Sequence, residues 1–137
     1  MSRFFVDSPG RDSSLTTQPT RHGRQPQDTA LLRHFEAAEF EFMRAIGCPY
    51  SSFHREDGSF PRVHVEADYL SGLQCEDVIL TQVTVDRVGA TSYTLAFYVT
   101  TNSRPAGKGK ITVVCMDHHT QRPKALPERL AKALRPD

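Results

Sequence analysis

The feature that most constrains this chain is the stretch Asp28 to Gly47, DTALLRHFEAAEFEFMRAIG, which reads as a helix of about five turns. Leu31, Phe35, Ala38, Phe42 and Ala45 form one apolar stripe. Leu32, Phe40, Met43 and Ile46 widen it well beyond the band of an ordinary surface helix. Asp28 stands at the N-cap position, with its carboxylate at the positive helix end, and Gly47 stands where a left-handed residue closes a helix. Such a helix needs cover around most of its girth. A single antiparallel sheet curling around it supplies that cover, and few folds are built this way.

The rest of the chain to about Met116 reads as strand. Arg3 to Val6 (RFFV) opens a short one. From Asp7 to Gln27 the chain is DSPGRDSSLTTQPTRHGRQPQ, with Leu15 its one large apolar side chain, so burial has little with which to offset the entropy of ordering. An irregular arm over residues 1–27, ahead of a domain over 28–137, is the expected organisation. After the helix, Cys48 to Phe60 is a polar loop around an Asp57-Gly58 turn. Arg62 to Leu70 alternates, with Val63, Val65, Ala67 and Tyr69 facing one way and Arg62, His64, Glu66 and Asp68 the other. Val78 to Val88, Ser92 to Thr100 and Lys110 to Met116 complete a four-stranded meander, with Gly89–Thr91 and Asn102–Gly109 as turns. Pro127 to Leu134 is a short terminal helix with proline at its start. No βαβ alternation is present, which argues against a parallel sheet.

At 137 residues the chain has room for one core, and 17 basic against 16 acidic residues leave a formal net charge of +1. That balance gives no electrostatic footprint for a nucleic acid or a membrane surface. Cys48, Cys75 and Cys115 are odd in number and widely spaced, as expected of reduced thiols in a cytosolic protein. The N-terminus lacks a signal-peptide pattern, and no apolar run approaches the roughly 20 residues that span a bilayer.

The words LLRHFEAAEFEFMRAIG, FPRVHVEADYLSGLQCEDVI, VDRVGATSYTLAFYV and GKGKITVVCMD, followed by RPKALPERL, run in this order from about Ala30 to Leu130. In content and spacing they resemble the hotdog-fold acyl-CoA thioesterases of the 4-hydroxybenzoyl-CoA thioesterase type. The resemblance implies an α+β hotdog fold, a curved antiparallel sheet wrapped around one long central helix. It also implies a homodimer or homotetramer with acyl sites at the subunit interface, an acyl-CoA or acyl-carrier substrate, and no cofactor. In this family an aspartate before the helix serves as nucleophile or general base, and a backbone N–H at the helix start holds the developing oxyanion.

This chain departs from that pattern where the chemistry sits. Counting back from Phe35, the aspartate's position falls near Arg21 or His22, neither of them a carboxylate. Residues 10–27 are therefore expected to be degenerate or the product of an altered reading frame. The candidate carboxylates are Asp12, if the loop is longer than usual, Asp28 at the helix start, and Glu36, which with Glu39 punctuates the helix. Against each stands a plain reading: a solvated loop acid, a cap, and a solvent or interface stripe. The oxyanion donors implied are the backbone N–H groups of Thr29, Ala30 and Leu31. For the phosphates of coenzyme A, Arg87, Arg104, Lys108 and Lys110 border the hairpin turns, although Ala90 occupies a place where the family often has a basic residue. His64 and the pair His118-His119 are solvated strand and turn residues more readily than metal ligands, and no metal is expected.

Acyl-thioester hydrolysis is the function that the resemblance implies. The missing aspartate favours an alternative, a non-catalytic hotdog module that binds an acyl group or dimerises. A hotdog dehydratase ranks last, because the segment FPRVHV lacks the glycine-proline elements around His64.

Overall fold

The computed structural model describes residues 3–8, 27–71, 79–101 and 104–135. Asp12, His22 and Cys75 lie outside the described residues, as do residues 9–26 of the arm expected over 1–27. The elements are β1 (Arg3–Ser8), α1 (Gln27–Ala45), β2 (Arg62–Tyr69), β3 (Ile79–Val88), β4 (Ser92–Thr101), β5 (Arg104–Val114) and α2 (Glu128–Leu134), with short 3-10 turns at Tyr50–Ser52 and Arg55–Asp57. All strand pairs are antiparallel, and the order is β1-β3-β4-β5-β2.

Helix α1 buries Leu31, His34, Phe35, Ala38, Glu39, Phe42 and Met43, the i, i+3, i+4 pattern of one face. Ala45, expected on that stripe, is exposed, and so is Phe40. The closure at Gly47 is as expected. Gly47 has φ 83°, its N–H donates to Arg44 O at 3.0 Å, and the N–H of Cys48 donates to Met43 O at 2.9 Å. These two bonds make a Schellman motif, which satisfies the last carbonyls. At the other end the expectation shifts. The helix begins at Gln27, so Asp28 is a first-turn residue and not the N-cap, although an acidic residue there still meets the positive end of the dipole.

Two expectations about the sheet are corrected. The meander is three strands, β3–β4–β5, and β2 does not precede β3 in it: β2 crosses to the far edge and pairs with β5, Tyr69 opposite Gly107 and Val65 opposite Ile111. The stretch Asn102–Gly109 is also not all turn, because β5 starts at Arg104. Its glycines mark a close approach of helix to sheet. A Cβ on Gly107 would sit 2.7 Å from Leu31 Cδ1, and one on Gly109 would sit 2.5 Å from Phe35 Cε2 and 2.2 Å from Glu66 O. The Phe35 ring, lying over that bare backbone, stacks on Phe97 at 4.9 Å. Across one end of this core, α2 lays its buried Leu130 and Leu134.

Candidate active site

The contacts of α1 set its direction over the sheet. Phe35 lies at Gly109 and Leu31 at Gly107, so the first turn of the helix extends towards the β4–β5 hairpin end, beyond Val99, which pairs with Gly107. The unpaired amides of a helix start, with the positive end of its dipole, therefore meet the Thr101–Arg104 end of the sheet. Two buried hydroxyls belong to that end. Thr101 and Thr81 are each 1% exposed, and their Oγ1 atoms find no hydrogen-bond partner among the described residues. Such orphaned polar atoms cost stability unless a ligand or water engages them.

Around this end the candidate residues are placed as follows. In a helix that starts at Gln27 the amide of Leu31 enters the i→i−4 ladder, so among Thr29, Ala30 and Leu31 the free donor nearest the end is Thr29. Asp28 belongs to the same first turn. Glu36 is exposed, on a stripe with Phe40 and Arg44, and Arg62 of β2 lies over the Phe40 ring.

Glu39, three residues on, is fully buried. One of its oxygens accepts from Arg62 Nε at 3.0 Å and also from Arg62 NH2, and the other accepts from the Tyr50 hydroxyl at 2.5 Å. The Tyr50 and Tyr93 hydroxyls lie 2.5 Å apart and extend the network. Burial, aided by the charge of Glu39, pushes both phenols far above the usual tyrosine range, so both stay neutral. Burial opposes the charge on Arg62, but its bonds to Glu39 outweigh this and hold the guanidinium above its ordinary value. With both oxygens of its carboxylate engaged, Glu39 is built to hold the fold together, not to accept a proton from water.

The alternation of β2 places Arg62 on the face of His64, Glu66 and Asp68, and the structure corrects this. A register shift between Arg62 and His64 leaves Val63 as the extra residue, so Arg62 pairs with Val113 and turns to the helix side. Nothing in the alternation foretells a bulge. Glu39, expected with Glu36 on a solvent or interface stripe, is buried instead, four residues after Phe35 and eight after Leu31 on the inward face.

The four cations expected to hold coenzyme A are not gathered. Arg104 opens β5 at the Thr101 end, whereas Arg87 lies opposite Thr94 near the other end of the sheet. Lys108 and Lys110 stand on the outer face, away from α1, where they line a groove of about 430 Å3 with Glu66 and Asp68. Lys110 also pairs with Asp86 at 3.3 Å.

The model of the Thioesterase-like superfamily matches residues 27–134, and the chain belongs to that superfamily. It is 28% identical over 98 residues to the 1,4-dihydroxy-2-naphthoyl-CoA hydrolase of Synechococcus elongatus, covering 70% of this chain and 69% of the relative. Its fold superimposes on the crystal structure of a 1,4-dihydroxy-2-naphthoyl-CoA thioesterase from Synechocystis with TM-score 0.83 at 15% identity, over 97% of this chain and 96% of that one. A thioesterase from Thermus thermophilus, crystallised with coenzyme A and zinc, gives TM-score 0.69 at 25% identity, over 98% of this chain and 91% of that one. The hotdog fold follows from these likenesses and from the sheet and helix described above.

Proposed function

We propose that this protein hydrolyses acyl-CoA thioesters at the N-terminal end of α1. The observation that carries the reading is the family match from residue 27 to 134, which begins with α1, the helix whose first turn points to the end of the sheet that holds Thr81 and Thr101. In the reaction a water attacks the thioester carbonyl, a carboxylate takes its proton, and the carbon–sulfur bond breaks to release acid and thiol. First-turn amides, Thr29 foremost, stabilise the oxyanion, and the helix dipole adds to them. Asp12, Asp28 and Glu36 remain the candidates for the proton acceptor. Of the cations proposed for the phosphates, Arg87 and Arg104 are free of ion pairs among the described residues, and Lys110 is the least available.

We further propose a homodimer formed along β2. This strand is a sheet edge, and its apolar residues Val65 and Tyr69 face the helix side yet stay exposed, next to exposed Val63 and Leu70. Phe40, 47% exposed on α1, adds to the apolar surface a partner would cover. Light scattering after size exclusion tests this, and a stable species at the 15.4 kDa chain mass overturns it. A cytosolic location accords with Cys48 and Cys115, which are buried free thiols. No helix among the described residues is long and apolar enough to cross a membrane.

The test of hydrolysis is thiol release from a panel of aromatic and medium-chain acyl-CoAs. Asp28→Asn should leave kcat/KM equal or higher if the helix end is the oxyanion site, because a first-turn carboxylate repels an anion there. A large loss with unchanged circular dichroism would make Asp28 the catalytic carboxylate. Turnover that survives both Asp12→Asn and Glu36→Gln removes those two residues from the mechanism. Tight acyl-CoA binding without thiol release favours the non-catalytic module, which the absence of an aspartate at Arg21 or His22 supports.

A further inference from the structure

Beyond the C-terminal end of α1 lies a cavity of about 400 Å3 lined by Arg55, Glu56, Asp117, His118, His119 and Lys124. Its walls come from two segments zipped together by backbone bonds. Ser59 and Met116 exchange N–H···O bonds of 2.9 Å, Asp117 N–H donates to Arg122 O at 2.7 Å, and Lys124 N–H donates to Cys115 O at 2.9 Å. Gly58, with φ 116°, closes one wall, since a Cβ there would sit 2.8 Å from Cys115 Sγ. Gln121 holds φ 60°, unusual for a residue with a side chain, and its side-chain Nε2 donates to His118 O at 3.1 Å, fixing the turn that carries both histidines.

The charges in this basin are unevenly committed. The guanidinium of Arg55 donates to Nε2 of His118, so the proton of the neutral ring sits on Nδ1 as a donor. The Lys124 ammonium donates to the main-chain oxygen of Glu56 at 2.7 Å. Neither cation has a carboxylate partner among the described residues. The carboxylate of Asp117 already accepts the N–H groups of Thr120 at 3.0 Å and His119 at 2.7 Å, which hold it below the usual range. Glu56 is the other acid that lines the basin. The described residues also include no group of three or more His, Cys, Asp or Glu arranged to hold a metal ion.

We propose that this basin binds a phosphate monoester, held by Arg55, Lys124 and the imidazole N–H groups, with Glu56 as the internal competitor for the same cations. The proposal stands independently of thioester hydrolysis. Its test is calorimetric titration of the full chain with inorganic phosphate and with adenosine 3′,5′-bisphosphate. Arg55→Gln and Lys124→Gln should each weaken binding about tenfold, the loss of one charge-assisted contact at a partly open site. Glu56→Gln should tighten it. All three side chains lie at the surface, and thermal melts serve as the fold control. Absence of binding by both probes overturns the proposal, as does affinity unchanged in Arg55→Gln and Lys124→Gln, or weakening by Glu56→Gln, the sign expected of a cation site. The source of the phosphate is read from kinetics. If Arg55→Gln raises KM for acyl-CoA but not for acyl-dephospho-CoA, the basin holds the coenzyme's own 3′-phosphate. An equal effect on both assigns it to a separate phosphorylated ligand. If the protein hydrolyses no thioester, the calorimetric result is untouched.

Discussion

The C-terminal half of α1 is closed at Gly47 by bonds to Arg44 and Met43, and just inside it Glu39 is buried with both oxygens occupied by Arg62 and Tyr50. The N-terminal half runs towards the end of the sheet that holds Thr81 and Thr101, whose buried hydroxyls have no partner among the described residues. Among the described residues, the polar network at one end of the helix is satisfied, whereas the two strand hydroxyls towards its other end have no partner. Satisfied networks rigidify, whereas unsatisfied groups mark places where stability has been given up for binding. The fold is anchored where its polar atoms are paired, and the proposed chemistry lies where they are not.

The comparison predicts graded effects. Removing Glu39 should cost most. Glu39→Ala strands the half-buried Arg62 and the Tyr50 hydroxyl, and a loss of about 3 kcal/mol is expected in denaturant unfolding, the low end for a broken buried pair because Arg62 keeps some solvent contact. Glu36→Ala, one turn away but exposed, should stay within about 0.5 kcal/mol. Similar costs for the two would erase the contrast.

Midway along the helix, Gly109→Ala should cost about 2–3 kcal/mol, since its Cβ meets the Glu66 carbonyl oxygen as well as the Phe35 ring, and backbone cannot step aside as a flexible side chain can. A neutral result in urea titration would mean that helix and sheet are further apart than described.

The tyrosines give the anchored end a pH signature. Tyr50 and Tyr93 have folded pKa values raised by burial above the unfolded value of about 10. Their contribution is complete below pH 10 and is lost as pH rises above it, because the unfolded chain then releases protons that the folded chain keeps. Unfolding free energy should fall between pH 10 and 11 by about 1–2 kcal/mol for the pair, and the fall should be shallower in Tyr50→Phe. Parallel curves would place the phenols in contact with water.

At the open end the expected effect is modest and has the opposite sign. Thr101→Val should stabilise the protein by about 1 kcal/mol by removing a buried hydroxyl that has no partner among the described residues. If that hydroxyl meets substrate, KM should rise in the same variant. A loss of stability would show that the hydroxyl is already satisfied in the folded protein.

Much of this was readable along the chain. The length and girth of α1, its closing glycine, the three-strand run and the short terminal helix all follow from local periodicity and from residues with restricted backbone choices. Glu39, by contrast, reads in sequence as part of a solvent or interface stripe, and its burial corrects that reading. Three matters were settled by tertiary contact. Strand β2 pairs with β5 because partner choice depends on which edge the connection reaches, and alternation carries no record of that. The glycines of β5 look like turn residues in sequence, but they serve helix contact, since only the facing Leu31 and Phe35 require a bare backbone there. Arg62 reaches Glu39 because one extra residue in the ladder reverses its face, a shift that a period-two pattern conceals. Local sequence determined which segments form and which sides are apolar, because those depend on neighbours a few residues away. The assembled fold decided which polar atoms are paired and which are left open, because those partners lie tens of residues apart.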